Sequence, residues 1–512
     1  MNPVRNLDCR QTSFKAGKNV RQKARNFDVV NRREFLRTSV CCSAALVSPL
    51  FAASSSRRRA NIVLIMTDNH GAWTVGCYGN PDIKTPYIDR LAKQGLRFTE
   101  AFSSNAVCSP TRATYLTGLI PSQHGVHCYL SRDEAQMGAN AYSTIEEFRT
   151  LPEILAEQGY TCGLVGKWHL GKNMHPQEGF SYWITMPHGG TRTFYNAEVI
   201  EGGKVRTEPG YLTDLWTKNA TSFIEQNKSR PFFLFLSYNG PYGLGSSLNK
   251  PARNRHAAYY ANKELPSFPR EPMHPWLHNN KQFLNNVHAM RRYACELSAI
   301  DDGVGEVMYT LKKLGLDEDT LVIFTADQGW AGGHHGIWGM GDHTRPLHAF
   351  DSTMHIPLIF RHLGFIPAGR QCNLMTSNYD LLPTVLSYLG LSGEIPDNPK
   401  LPGRDYSAIL KGRRLEWDNV VFYEFENVRA IRTAEWKYVE RYPDGPHELY
   451  NLKTDTGERF NLYGQPKQAD IQKELRARLY QFFNCYADPK YDLWRGGRSK
   501  TRLLSAKADE MT

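Results

Sequence analysis

The chain has 512 residues, of which 41% are hydrophobic and 12% aromatic, so it can bury a large core and wholesale disorder is excluded. Its formal net charge is +11, but 13 of the 62 basic residues and only three of the 51 acidic ones lie within residues 1–60. The remaining residues have a net charge near zero. The positive charge is therefore confined to one end of the chain and does not support a nucleic-acid partner.

The basic end of the chain has the order of an export signal. The pair Arg32-Arg33 is followed by Phe35-Leu36, by an apolar run over residues 38–51 and by small residues. This order resembles a twin-arginine signal, and the apolar run is shorter than the roughly 20 residues that a membrane-spanning helix needs. We predict a signal and basic leader over residues 1–56, contact with the export machinery, a periplasmic or secreted location and no stable membrane insertion. A disordered basic tail is the alternative.

Strands and helices alternate along the next 330 or so residues. The continuous apolar run at residues 61–66 predicts a buried strand that opens into a polar loop at Asp68 and Asn69. Further strands are predicted at residues 160–165, 231–238 and 320–325, and helices at 85–95, 151–159 and 293–314. Residues 243–290 are rich in Asn, Pro and His and predict a long surface insertion near the functional site.

This alternation predicts an α/β fold with a large central sheet, mixed but mostly parallel, sandwiched by helices over residues 57–395. After a Pro/Gly-rich stretch at 390–403, three short strands and a helix predict a smaller C-terminal domain of antiparallel sheet plus helix over residues 396–490. Residues 491–512 are predicted to be a basic tail. The chain has ten cysteines, and seven remain after the leader, so at least one is a free thiol.

The most informative motif is Cys108-Ser109-Pro110-Thr111-Arg112, followed by Leu116-Thr117-Gly118. It resembles the Cys-x-Pro-x-Arg signature of the type I sulfatases in the alkaline phosphatase superfamily. Four framing segments resemble family segments in the same order: Asp68-Asn69, residues 166–171 (GKWHLG), Asp327-Gln328 and residues 449–452. The resemblance covers roughly residues 60–485.

The resemblance implies a sulfatase that hydrolyses a sulfate ester, plausibly of a carbohydrate. Cys108 would be oxidised by a maturase to formylglycine, whose hydrated gem-diol attacks sulfur and later expels sulfate. The implied cation is Ca²⁺, with Mg²⁺ also possible, and hard oxygen ligands suit both. Its implied ligands are the side chains of Asp68, Asn69, Cys108, Asp327 and Gln328. The family more often has Asp at position 69 and Asn at 328, so two amides here lower the charge of the ligand set.

The resemblance also implies that Arg112 holds the diol, that Lys167 contacts sulfate and that His169 is the base of the second step.

Two positions depart from the family, because Tyr242 and Met340 stand where a sulfate-binding His and Lys are common. We predict four substrate-binding residues in compensation: Tyr242, His335, His343 and Arg345. Two alternatives stay open, namely a phosphodiesterase or phosphonate monoester hydrolase of the same superfamily, and a binding protein that keeps the fold without catalysis.

Overall fold

A computed structural model describes residues 59–131 and 135–505, so the predicted signal lies outside the described residues. The strands are, in chain order, β1 Asn61–Asp68, β2 Leu96–Phe98, β3 Ala101–Phe102, β4 Thr161–Gly166, β5 Tyr182–Thr185, β6 Tyr195–Glu201, β7 Lys204–Tyr211, β8 Phe232–Pro241, β9 Thr320–Ala326, β10 Ala331–Gly332, β11 Trp338–Gly339, β12 Leu358–Arg361, β13 Arg370–Cys372, β14 Thr376–Ser377, β15 Val420–Phe425, β16 Val428–Thr433, β17 Trp436–Arg441 and β18 Glu448–Asn451. The helices are α1 Pro86–Lys93, α2 Cys108–Thr117, α3 Pro121–His124, α4 Leu151–Glu157, α5 Leu212–Asn227, α6 Ala257–Tyr260, α7 Val287–Lys313, α8 Asp351–Met354, α9 Leu381–Tyr388, α10 Ser407–Leu410 and α11 Ala469–Tyr486.

Ten strands form one sheet in the order β13-β2-β12-β9-β1-β8-β4-β5-β6-β7. The five central strands from β9 to β5 are parallel to one another. Strand β12 runs antiparallel to both its neighbours, and β6 and β7 close the opposite edge as an antiparallel pair. The predicted mixed, mostly parallel sheet is therefore confirmed.

Alternate residues of the central strand face two different helical layers, as period-two side chains require. Ile62, Leu64 and Met66 of β1 join a buried cluster that includes apolar residues of α2, α4 and α9. Val63 and Ile65 join a second cluster that includes residues of α1, α5 and α7. The sheet is thus covered on both faces, which explains why its central strands read as continuous apolar runs.

The predicted elements occur with shifted ends. Helix α7 begins six residues before the predicted start, because the Asn286 side chain caps it by accepting the backbone N–H of His288 at 2.9 Å and of Ala289 at 3.3 Å. The sequence prediction also lacked α5 and the β5–β7 strands. Residues 243–286 form the predicted irregular insertion, in which the structure describes one short α-helix, α6, before α7 begins at Val287.

The C-terminal part is the predicted antiparallel sheet plus helix. Strands β15 to β18 pair in chain order, and Leu475, Leu479 and Phe483 of α11 pack on one face of this sheet. The exact boundaries at residues 395 and 490 stay a prediction. Among the residues that the structure describes, no helix combines the length and apolar character needed to cross a membrane.

Candidate active site

Three charged side chains lie at the carboxyl ends of the central parallel strands, where α/β sheets place their ligand sites. Asp68 ends β1, Lys167 follows β4, and Asp327 follows β9. The register explains why they meet, since Thr67 pairs with Ala326 and Asp68 with Pro241 of β8. Parallel strands in this register bring residues distant in the chain to one edge of the sheet.

Helix α2 presents the signature residues to the same edge. Cys108 is its first residue, and Arg112 lies four residues later on the same helical face. Arg112 is fully buried and donates from Nη2 to Asp327 at 2.8 Å, and from Nη1 to the Lys167 carbonyl and the Ser237 hydroxyl, each at 2.7 Å. The helix N-terminus adds a partial positive charge beside Cys108, which favours a bound anion.

A divalent cation fits the side chains that surround Cys108. Ligand atoms of Asp68, Cys108 and Asp327 lie within 4.8 Å of one another, the one such group of His, Cys, Asp and Glu residues found in the described parts of the chain. Burial and the facing Asp327 raise the pKa of Asp68 to about 6, although Lys167 and Arg112 oppose the shift. A cation between the two buried carboxylates would relieve their repulsion, and the oxygen donors suit Ca²⁺ or Mg²⁺.

The two predicted amide ligands, Asn69 and Gln328, lie beside this group. Gln328 Nε2 points at Asn69 Oδ1 and lies 3.3 Å from Cys108 Sγ, while its Oε1 accepts from Thr111 Oγ1 at 3.2 Å. Oxygen and nitrogen of an amide are exchanged by a simple flip. Because Thr111 Oγ1 also donates to the Val107 carbonyl at 2.7 Å, it can accept from a flipped Gln328. The flipped amide turns its oxygen towards Asn69 and Cys108, as a metal ligand requires.

Lys167 is held as a cation next to the reacting position. Its buried Nζ contacts Asp68 Oδ2, and although burial lowers the pKa of Lys167, the Asp68 carboxylate outweighs this and raises it. The Tyr242 ring centroid lies 5.5 Å from Nζ. Tyr242 therefore stands beside Lys167, where the predicted substrate-binding residue is expected.

His169 has the protonation state that a base needs. Burial, with a further effect from Lys167, keeps its pKa well below the usual value, so the ring is neutral. Nε2 lies 2.8 Å from the Leu130 carbonyl, which can only accept, so Nε2 carries the proton. Nδ1 has no hydrogen-bond partner within the described residues and is left with a lone pair. The ring fits because Gly189 has no Cβ, which would lie about 2 Å from the ring atoms.

A cavity of about 630 Å³ opens above these groups. Cys108, Lys167, His169, Tyr242 and His343 line it, so it joins most of the predicted catalytic residues to two of the predicted substrate-binding residues. The insertion also reaches it, as predicted, through Leu244, Gly245, Ser246, Asn279 and Asn280.

Burial raises the pKa of the Cys108 thiol, with the Asp68 charge adding to the effect.

Two predicted substrate-binding residues lie outside the lining of this cavity. His335 has a left-handed backbone, with φ of 56°, and stacks on Phe350 with 3.9 Å between ring centroids. Arg345 Nη1 donates to the carbonyls of Asp342 and Thr344, both at 2.8 Å. These local contacts direct both side chains into the protein, and their contact with substrate stays a prediction that the geometry does not favour.

The cavity also has lining residues that the motifs did not indicate. They come from three loops and include Tyr129, Gln136, His188, Arg192 and Asp342. Of these five residues, only Asp342 could have been proposed from the sequence, since it directly precedes His343, a predicted substrate-binding residue. The others lie in loops without a recognisable spacing, so only the folded chain brings them to the site.

Comparison with known proteins agrees with this geometry. The family model "Sulfatase" matches residues 60–391. The chain is 26% identical to an N-acetylglucosamine-6-O-sulfatase of Bacteroides thetaiotaomicron, over 86% of this chain and 90% of the relative. It is 30% identical to the N-acetylgalactosamine-6-sulfatase of Canis lupus familiaris, over 75% and 72%. The structure of BT4656 with its substrate D-glucosamine-2-N,6-O-disulfate shares the fold, with a TM-score of 0.67 at 24% identity, over 84% of this chain and 98% of that one.

The chain therefore belongs to the sulfatase family, within the alkaline phosphatase superfamily, and is a sulfuric ester hydrolase. A second family model, that of the C-terminal region of N-sulphoglucosamine sulphohydrolase, matches residues 336–484. That match covers the antiparallel sheet and most of α11, and it begins within the loop that carries Met340 and Asp342.

Proposed function

We propose that the chain removes a sulfate group from a sulfated carbohydrate in the cavity above α2. The observation that supports this most is the position of Cys108, at the first turn of a buried helix, between two carboxylates and at the floor of the cavity. Relatives that act on amino-sugar 6-sulfates make a sulfated sugar the first substrate class to test.

The catalytic group is proposed to be formylglycine, made from Cys108 by a maturase. Its hydrate would supply a nucleophilic hydroxyl, which a free cysteine does not. The cation, proposed as Ca²⁺ or Mg²⁺, would be held by Asp68, Asn69, Asp327 and Gln328 together with residue 108, and would supply Lewis-acid activation.

The remaining roles follow from side chains of the chain itself. Arg112 and Lys167 place two buried positive charges beside residue 108, where they attract the sulfate oxygens and stabilise negative charge. Neutral His169 offers Nδ1 as the acceptor of a proton from residue 108 in the step that releases sulfate. Tyr242 and His343 line the cavity where the family's His and Lys are replaced, and we assign them contact with the ester.

The proposal predicts loss of activity when Cys108 is changed. Mass spectrometry of the peptide around residue 108 first confirms formylglycine, and desulfation is then measured on N-acetylglucosamine 6-sulfate, N-acetylgalactosamine 6-sulfate and 4-nitrophenyl sulfate. We expect Cys108→Ala to lower kcat/KM at least about 10³-fold, as removal of a nucleophile does. Chelation of divalent cations should cause a comparable loss that added Ca²⁺ or Mg²⁺ reverses.

Cys485→Ser is the matched control, since this cysteine lies on α11, away from the cavity lining, and should retain activity. Faster hydrolysis of phosphate or phosphonate diesters than of every sulfate ester would favour the hydrolase alternative. An unconverted Cys108 in protein from its natural host would favour the binding protein.

Export is proposed on the sequence alone. The twin-arginine-type order of residues 1–56 supports a periplasmic or secreted location for the folded enzyme.

A further inference from the structure

Part of the cavity wall is formed by Met340, Asp342 and His343. Met340 Sδ lies 3.0 Å from Gln328 Nε2, so this wall begins beside the proposed cation ligands. Asp342 and His343 follow and both line the cavity. The His343 carbonyl accepts the backbone N–H of His278 at 2.8 Å, so the insertion fixes the segment from outside.

Asp342 is a buried carboxylate with a single close partner among the described residues. Its exposed fraction is 7%. The nearest basic atom is His343 Nδ1, 2.7 Å from Oδ1. A carboxylate oxygen tolerates an N–H and not a lone pair at this distance, so His343 carries a proton on Nδ1 and supplies one donor to Oδ1, which leaves the other acceptor sites of the carboxylate for a ligand.

A mostly buried carboxylate with one donor is under-satisfied, and a ligand that supplies further donors lowers the cost of its burial. Asp342 faces a cavity of substrate size, and a sugar carries hydroxyl and amide N–H groups that can donate. A second sulfate or a carboxylate at the same place would instead be repelled, because like charges at short range in a partly buried site raise the free energy of binding.

We propose that Asp342 is a specificity-determining residue that accepts hydrogen bonds from donor groups of the sugar next to the scissile sulfate. It selects sugars with a hydroxyl or an acylated amine at that position and disfavours those with a second anionic group there. This inference rests on the proposed function, and it narrows the substrate to units that bear one sulfate near residue 108. His343, which lines the cavity next to Asp342, also positions this carboxylate through its Nδ1 contact with Oδ1.

The test compares substrates on one enzyme sample, which removes any effect of incomplete formylglycine conversion. For wild type and Asp342→Asn, kcat/KM is measured with N-acetylglucosamine 6-sulfate, N-acetylgalactosamine 6-sulfate, D-glucosamine 2-N,6-O-disulfate and 4-nitrophenyl sulfate. We expect D342N to lower the ratio of the better monosulfated sugar to 4-nitrophenyl sulfate at least tenfold. It should also raise the ratio of the disulfated to the monosulfated sugar at least tenfold. Both ratios within twofold of wild type would overturn the proposal.

A binding measurement separates this inference from the proposed function. In protein with Cys108→Ser, the same sugars are titrated while the Tm is followed, with and without D342N. A Tm increase by a monosulfated sugar that D342N abolishes supports Asp342 even if the wild-type enzyme hydrolyses no sulfate ester, which would contradict the proposed function alone. An equal Tm increase in both proteins overturns the role of Asp342. Asp397→Asn, at an exposed position outside the cavity lining, is the control and should behave as its parent.

Discussion

Four buried charges meet beside Cys108, and their balance sets the chemistry of the site. Asp68 and Asp327 are opposed by Lys167 and Arg112, all with exposed fractions of 1% or less. The pairs nearly cancel, so the protein tolerates the cluster without a large net charge in its interior. A bound divalent cation would add two positive charges and a sulfate monoester one negative charge, so the occupied site would carry a net positive charge that the second negative charge of the sulfate product then cancels.

Another buried acid, outside this group of four charges, gives the protein a pH-dependent stability. Burial raises the pKa of Glu178 to about 7, although Ser143 Oγ donates to it at 2.6 Å. The other charged groups that face it are Glu146, Glu153 and Lys172. Because the folded state holds this proton to a higher pH than the unfolded chain, the contribution of Glu178 to stability is full below about pH 4.5. It is lost as pH rises to about 7.

We therefore expect Glu178→Gln, which resembles the protonated acid, to match wild type near pH 4.5 and to be more stable above pH 7. The expected difference in the free energy of unfolding is on the order of 1 to 3 kcal/mol. Denaturant unfolding at several pH values measures it. Glu225→Gln, on the exposed side of α5, should show no such pH dependence, and a constant difference for E178Q would contradict the assignment.

At the scale of elements, the loop between β5 and β6 determines how His169 is placed. The Leu130 carbonyl holds one side of the imidazole, and Gly189 leaves room on the other. A Cβ at residue 189 would lie about 2 Å from three ring atoms, among them Nδ1. The ring or the loop must then move, and the proposed base loses its position.

Gly189→Ala is expected to lower kcat about 10²-fold, the usual size of a general-base contribution, with little change in Tm. Steady-state kinetics and thermal unfolding measure the two effects. Gly190→Ala is the matched neighbour, because the nearest atom to its added Cβ is the Tyr242 hydroxyl at 3.6 Å, an ordinary contact. Its loss of kcat should be at least tenfold smaller, and equal losses would show that the loop as a whole, not the His169 ring, responds.

The sequence predicted the central strands and the signature because both depend on local patterns. The apolar run of β1 and the Asp68 at its end are visible in consecutive residues, without knowledge of the tertiary structure. Cys108 and Arg112 are likewise only one helical turn apart. The cavity wall could not be predicted in the same way. His335 and Arg345 looked equivalent to His343 in the sequence, but a left-handed backbone and two carbonyl acceptors direct them elsewhere.

At the scale of the whole molecule, the excess positive charge belongs to residues 1–60, and the rest of the chain is nearly neutral. An anionic substrate must therefore be attracted by a few local groups. Arg192 is the exposed cation of the cavity lining among the described residues, since Lys167 is buried against Asp68. An exposed cation at the entrance acts through long-range attraction, which salt screens over about 8–10 Å at physiological ionic strength.

Arg192→Gln should consequently raise KM for N-acetylglucosamine 6-sulfate about threefold to tenfold at low salt and leave kcat nearly unchanged, because the charge acts on encounter and not on the bond that breaks. The difference from wild type should vanish near 0.5 M NaCl, where the Debye length falls to a few ångströms. Kinetics across a salt series tests this, with Arg413→Gln as the control, since Arg413 is exposed and does not line the cavity. If R192Q kept the salt dependence of wild type, the attraction would instead have to come from the buried pair of Lys167 and Arg112, whose field salt screens much less.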